Sequence, residues 1–158
     1  MKTEIRAFNF EVRAEQNEEH GHFLTGQPIV YNERTNLDWY DEIIDDGALA
    51  ETDLRDVRFL VNHNTDMIPL ARSRNNNKNS TMQMEIKDDG MHIRVNLDTE
   101  NNSDAKNLYS AVKRGDVSQC SFGFEIVSEE TDFRDDGSIH WTITEARVHE
   151  VSVCTFPA

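Results

Sequence analysis

The chain has 158 residues, which suffices for one domain with a single core, whereas two packed domains would be cramped. Its net charge of −14 argues against a nucleic-acid backbone or an anionic membrane as the principal partner, because both would repel it. The two cysteines are too few for a disulfide scaffold, and the chain shows no apolar leader and no run long enough to span a membrane. The sequence therefore predicts one domain over residues 1–158, in the cytosol and with reduced thiols.

The first half of the chain reads as a series of strands. Alternating apolar and charged residues predict a strand in EIRAFNFEVRAE and another around residues 23–31. Trp39, Ile43 and Ile44 can form a further strand, and the segment GALAETDL after it predicts a short helix. The compact apolar run at residues 57–61 predicts a buried strand that breaks at the polar segment NHN.

The second half contains the clearest hairpin and the clearest helix. TMQMEIKDDGMHIRVNLD predicts two strands joined by an Asp-Gly turn, and NSDAKNLYSAVKRGDV predicts a helix capped by Ser103 or Asp104 and ended by Gly115. SQCSFGFEIVSEE and HWTITEARVHEVSVCTF predict the last strands. At least six strands with one well-marked helix and no βαβ alternation indicate a β-rich α+β fold, an antiparallel barrel or sandwich with helices attached.

Ser121 is the candidate nucleophile and His63 the candidate base. In a strand, Ser121 and Gly123 share one face, and the missing side chain of the glycine leaves open space where a substrate carbonyl could sit. An outward-facing serine on a solvated strand explains the same spacing. His63 follows a buried strand and begins a polar loop, where a rigid scaffold can hold a catalytic imidazole, although a surface loop histidine fits equally well.

The segment ARVHEVSVC offers the residue that would orient the base. Either Glu150 or its neighbour His149 faces the site, depending on the register of the strand. Cys120 and Cys154 are best explained as buried structural thiols. The sequence predicts neither a metal nor a cofactor, because it contains no phosphate loop, no His-Glu-x-x-His motif and no zinc-knuckle spacing.

The order of these motifs resembles the prohead (procapsid) maturation proteases of tailed phages, which share a fold with the herpesvirus assemblins. The resemblance rests on FLVNHN, then GDVSQCSFGFEI, then EARVHEVSVCTFPA, and it includes DDGALAE, PLARS and DDGMHIRVNLD, so that it covers nearly the whole chain. The chain departs from the pattern at Cys120, where an apolar residue such as methionine is expected, and it ends soon after the last strand. We therefore expect a protease domain that lacks its natural C-terminal tail.

The resemblance implies a serine endopeptidase on a small, mostly antiparallel β-barrel flanked by a few α-helices. Ser121 matches the nucleophile, His63 the general base, and Glu150 the third position, with His149 as the alternative. Backbone N–H groups would stabilise the oxyanion, with Gly123 leaving room for the substrate and Arg72 as an additional aid, although a surface salt bridge explains Arg72 as well.

The resemblance also implies where and on what the protein acts. Its substrates would be the scaffold protein or the scaffolding segment of the major capsid protein, and also the protease itself, inside procapsids assembling in the host cytoplasm. Because assemblins gain activity by dimerising, the resemblance also predicts that the chain forms a homo-oligomer, for example a dimer. The alternative function is a non-enzymatic capsid-assembly module that uses the same fold to dock to scaffold segments. A generic esterase or thiol hydrolase is disfavoured because no α/β pattern supports a nucleophile elbow.

Overall fold

The computed structural model describes residues 3–156, apart from the side chains of residues 9 and 10. Strands dominate this part of the chain. In order, the elements are β1 (Glu4–Glu11), β2 (Arg13–Asn17), β3 (Gly21–Val30), β4 (Thr35–Leu37), β5 (Tyr40–Ile44), β6 (Asp56–Val61), β7 (Ala71–Arg74), β8 (Met82–Lys87), β9 (Gly90–Asn96), α1 (Ser103–Arg114), β10 (Gln119–Phe133) and β11 (Ile139–Cys154). Within residues 3–156, no helix has the length and apolar character needed to span a membrane.

The larger sheet is built around the long hairpin of β10 and β11. Its strands follow the order β1-β10-β11-β5-β4, and β6 pairs with β11 and with β7. One edge of β11 pairs with β10, while the other edge is shared by β5 and β6, both of which run parallel to β11. The pairing with β6 places the end of that strand, and His63 after it, beside residues 150–153, which include the candidate catalytic residue Glu150.

The smaller sheet has the order β2-β3-β9-β8 and packs against the larger sheet through apolar side chains. Strands β8 and β9 form the predicted hairpin. In the core between the sheets, the ring of Phe8 stacks on Phe122 at 5.9 Å between centroids, and Phe122 also contacts Phe124. The two phenylalanines of the SFGF segment therefore anchor β10 in the core and leave the opposite face of the strand for Ser121 and Gly123.

The β-rich class is confirmed, but the predicted barrel is not. Among the described residues the strands form two separate sheets, neither of which closes on itself, and two of the pairings are parallel. The chain leaves the larger sheet between β1 and β2 at the buried Val12, whose N–H donates to the Ser118 carbonyl at 2.8 Å. The consecutive strands β1 and β2 therefore belong to different sheets. The alternation of apolar and charged residues predicts strands but does not indicate which sheet each one joins.

The described residues contain one helix, not several, and its ends are close to those predicted. Asn102, not Ser103 or Asp104, is the N-cap, because its side chain accepts from two backbone N–H groups of the first turn. Gly115 ends the helix in the left-handed conformation with φ of 85°, as predicted.

The segment GALAETDL does not form the predicted helix. It forms successive turns, in which the backbone N–H groups of Ala48, Ala50 and Thr52 each donate to a carbonyl three residues earlier. The carbonyl of Ala48 accepts from the N–H of Ala146 in β11 at 3.0 Å, and Ala48 and Leu49 are buried. Docking onto the sheet therefore outweighs the local helical preference of this segment.

Candidate active site

The ladder between β10 and β11 places four site residues side by side. Ser121 lies opposite Ser152, and Gly123 lies opposite Glu150. Residues two apart in a strand face the same way, so all four positions share one face of the larger sheet. The backbone therefore fixes the spacing between Ser121 and Glu150 before any side-chain contact is made.

His63 reaches this face through a tight turn at the end of β6. The N–H of Asn64 donates to the Val61 carbonyl at 3.1 Å, and the two residues between them, Asn62 and His63, have φ of 54° and 55°. Positive φ at both central positions is the pattern of a type I′ turn. Asparagine and histidine are among the side chains that tolerate this conformation best, which explains why the turn forms without glycine.

The side chain of Asn62 ties this turn to the residue that follows β11. Its Oδ1 accepts from the N–H of Thr155 at 2.8 Å, and its Nδ2 donates to Thr155 Oγ1 at 3.2 Å. Its own N–H donates to the Val153 carbonyl at 2.9 Å. In the sequence, only its position directly before His63 marks Asn62, so this role of its side chain was not predicted.

Three of the predicted residues form one hydrogen-bonded chain. His63 Nε2 lies 2.8 Å from Ser121 Oγ, and His63 Nδ1 contacts Glu150 Oε1. The side chains of His63 and Glu150 are 17% and 12% exposed, so water screens their contact only weakly. A hydroxyl, an imidazole and a carboxylate in this order are the arrangement in which the imidazole can remove the hydroxyl proton and the carboxylate can orient the imidazole.

The Ser121 hydroxyl has a second partner in β1. Its Oγ lies 2.9 Å from the backbone carbonyl of Arg6, which can only accept a hydrogen bond. The side chain of Arg6 in turn donates from Nε and Nη2 to both carboxylate oxygens of the buried Glu42, at 2.8 and 3.1 Å, which holds β1 in place. When His63 is protonated, Nε2–H donates to Oγ and the hydroxyl proton of Ser121 is donated to the Arg6 carbonyl; when Nε2 is unprotonated, the hydroxyl has two acceptors within reach.

The charge state of His63 follows from its neighbours. The contact with Cys154, whose Sγ lies 3.7 Å from Nε2, and the hydrogen bond and negative charge of Glu150 raise the pKa of His63 from its ordinary 6.5 to about 9. Burial acts in the opposite direction but is outweighed. At neutral pH the resting imidazole is therefore mostly protonated, and deprotonation prepares it to act as a base.

Gly123 has a different role from the one predicted. A Cβ at this position would lie 2.6 Å from Glu150 Oε1, closer than real Cβ atoms come to other atoms. The space beside the glycine is thus filled by the Glu150 carboxylate and is not open to a substrate carbonyl. The glycine is required because the carboxylate crosses directly over the backbone of β10 to reach His63.

The remaining predicted residues lie outside this hydrogen-bonded chain. A register shift in the ladder leaves His149 without an opposite residue in β10, and its Nε2 lies 3.1 Å from Glu125 Oε1. The pairs before this shift, Ser121 with Ser152 and Gly123 with Glu150, place Glu150 on the face of Ser121, and Glu150 is the residue that contacts His63. Arg72 Nε and Nη2 donate to the two carboxylate oxygens of Asp56 at 2.7 and 2.9 Å, which is the surface salt bridge considered as its alternative role.

Both cysteines are free and buried, as predicted. Burial raises the pKa of Cys120 to about 12, so its thiol is not ionised at neutral pH and is a poor nucleophile. Cys154 was predicted to be only a structural thiol, but its Sγ contacts the imidazole of His63. The described residues contain no group of three or more His, Cys, Asp or Glu side chains that could hold a metal ion.

Comparison with known proteins identifies the family. A family model described as "Caudovirus prohead serine protease" matches residues 8–158. The chain belongs to this family. Searches of curated proteins and of solved structures gave no significant match. Membership in a prohead serine protease family indicates a serine peptidase with a role in phage capsid maturation. The resemblance to the phage prohead proteases, which was predicted from the sequence, is thereby confirmed.

Proposed function

We propose that this chain is a serine endopeptidase in which Ser121 is the nucleophile, His63 the general base and Glu150 the residue that orients His63. The observation that carries the proposal is the chain of contacts from Ser121 Oγ through both ring nitrogens of His63 to the Glu150 carboxylate. The family supplies the reaction class, and the contacts supply a role for each residue.

The reaction begins with neutral His63. Its Nε2 accepts the Ser121 proton as Oγ attacks the scissile carbonyl, and the resulting imidazolium is stabilised by Glu150 at Nδ1. Nε2–H then donates its proton to the amine as the C–N bond breaks. In the second half His63 takes a proton from water, the water oxygen attacks the acyl carbon, and the bond to Ser121 Oγ breaks as Nε2–H returns the proton to Oγ. Because Ser121 is 1% exposed and is hydrogen-bonded to the Arg6 carbonyl, the scissile carbonyl reaches Oγ only after the groups around the hydroxyl move.

The substrates of this reaction would be capsid or scaffold proteins inside assembling procapsids. The family description supports capsid maturation as the setting, and the scaffolding segment of the major capsid protein, a separate scaffold protein and the protease itself are the segments we expect to be cut. The net charge of −14 suits basic substrate segments better than acidic ones. A homo-oligomer remains part of this proposal.

The proposal is tested by intact mass spectrometry after co-expression with the neighbouring capsid or scaffold gene. Wild type, Ser121→Ala and Ser73→Ala are compared; Ser73 is an equally buried serine whose hydroxyl has no hydrogen-bond partner among the described residues. We expect specific truncation of the partner with wild type and Ser73→Ala and none with Ser121→Ala. Equal truncation in all three would refute Ser121 as nucleophile, whereas co-assembly without cleavage by any would favour the non-enzymatic assembly module. The mapped bond then provides a peptide substrate for kinetics.

A further inference from the structure

Ser152 is a buried residue of the site that has no role in the proposed reaction. It lies opposite Ser121 in the ladder between β10 and β11 and is completely buried. Alternation along β11 places it on the same face as Glu150 and Cys154. Its hydroxyl is therefore enclosed with the reacting groups.

The hydroxyl of Ser152 makes two hydrogen bonds to residues of the site. It donates to Glu150 Oε2 at 2.7 Å and accepts from the backbone N–H of His63 at 3.1 Å. Since Glu150 Oε1 contacts His63 Nδ1, the two oxygens of this carboxylate are engaged by different partners. The plane of the carboxylate is thus fixed, and the backbone that carries the imidazole is held to the same hydroxyl.

We propose that Ser152 is a positioning residue that locks Glu150 and the His63 turn into the arrangement needed for proton transfer. The inference rests on the proposed function, but the contacts of Ser152 can be tested without cleavage. A hydroxyl enclosed in this way cannot be replaced by bulk water, so its removal leaves Glu150 Oε2 and the His63 N–H without partners. The carboxylate is then free to rotate away from Nδ1.

Removal of the hydroxyl should lower the turnover rate without weakening substrate binding. We expect kcat of Ser152→Ala to fall about ten- to hundredfold and KM to stay nearly unchanged. A loss of this size is what a displacement of a catalytic group by up to about 1 Å causes. Ser152→Cys, which keeps a weaker hydrogen donor, should give an intermediate rate. The matched control is Ser73→Ala, which removes a hydroxyl that is equally buried but makes no hydrogen bond within the described residues.

Two further measurements separate positioning from a general structural effect. In a Glu150→Ala background, Ser152→Ala should have a smaller effect on kcat than in wild type, because of the two groups that Ser152 positions only the His63 turn remains. NMR titration of the His63 ring should show a lower midpoint in Ser152→Ala than in wild type, because a looser Glu150 contact supports the protonated ring less well. The titration of Ser73→Ala should match wild type.

The outcomes separate this inference from the proposed function. If a folded Ser152→Ala or Ser152→Cys variant, checked by circular dichroism, retains the kcat and the His63 titration of wild type, Ser152 is not a positioning residue. An undiminished effect of Ser152→Ala in the Glu150→Ala background also overturns the inference. If instead Ser121→Ala still cleaves, the proposed nucleophile is wrong, while the titration of His63 continues to report on Ser152.

Discussion

Replacing Gly123 by alanine should disable the site while leaving the fold largely intact. The added Cβ would lie 2.6 Å from Glu150 Oε1, and since ordinary contacts of a Cβ begin at about 3.4 Å, the carboxylate oxygen would have to withdraw by roughly 0.8 Å. Gly123 is not among the glycines with positive φ, so the backbone accepts alanine without strain. The clash therefore falls on the end of the Glu150 side chain.

The size of the expected effect follows from what that carboxylate does. A withdrawal of nearly an ångström breaks its contact with His63 Nδ1, and misplacement by about 1 Å can lower a rate by about 10²-fold. Stability should fall by only about 1–3 kcal/mol, the usual cost of overpacking, because a carboxylate can move more easily than a packed backbone. Activity should thus be lost out of proportion to stability.

The assay compares kcat on the mapped peptide with the free energy of unfolding in urea. Gly123→Ala is measured alone and in a Glu150→Ala background, where the obstructing carboxylate is absent. We expect the alanine at position 123 to cost little stability and no further activity in that background. Full activity of the Gly123→Ala single variant, or an equal loss of stability in both backgrounds, would refute the reasoning.

Three further predictions concern the base, the turn that carries it and the thiols. The kcat/KM of wild type should rise with pH through about 9, since His63 must be neutral to accept a proton; a midpoint near 6.5 would contradict this assignment of the pKa. The free energy of unfolding in urea should be about 1 kcal/mol lower for Asn62→Ala than for Asn62→Gly. Both variants lose the contacts with Thr155, but only alanine is strained at positive φ, so equal stability would count against a strained turn. Iodoacetamide should leave Cys120 unmodified in the native protein and modify it after denaturation, as mass spectrometry can show, and rapid native labelling would contradict its burial.

Much of the site could be predicted from the sequence because it depends on local patterns. Strict alternation in SQCSFGFEI puts Ser121 and Gly123 on one face, and the phenylalanines between and beside them require a core on the other. The break from an apolar run to NHN places His63 at the end of a strand. These features arise from side-chain period and polarity, which the sequence displays directly.

The remainder depends on pairings between distant segments. Nothing in residues 57–61 indicates that β6 runs parallel to β11, yet this pairing brings His63 beside Glu150. The choice between His149 and Glu150 depends on which residues of β10 and β11 lie opposite each other, and alternation within one strand cannot reveal this register. Ser152 could be placed on the correct face by alternation, but its bond to the N–H of His63, 89 positions away in the chain, appears only in three dimensions.

Activity and stability should respond to pH in opposite directions because both depend on the proton of His63. In the folded state the pKa of His63 is about 9, above its ordinary 6.5. The protonated imidazole therefore contributes stability that is fully present below about pH 6.5 and is lost as the pH rises through about 9. Over the same interval the neutral base accumulates and cleavage should accelerate. Urea unfolding of wild type and His63→Ala across this interval isolates the contribution of this residue, since other groups titrate in both proteins. We expect the stability advantage of wild type to shrink as its kcat/KM rises, and an advantage that stays constant would mean that the Glu150 and Cys154 contacts do not hold the proton on His63.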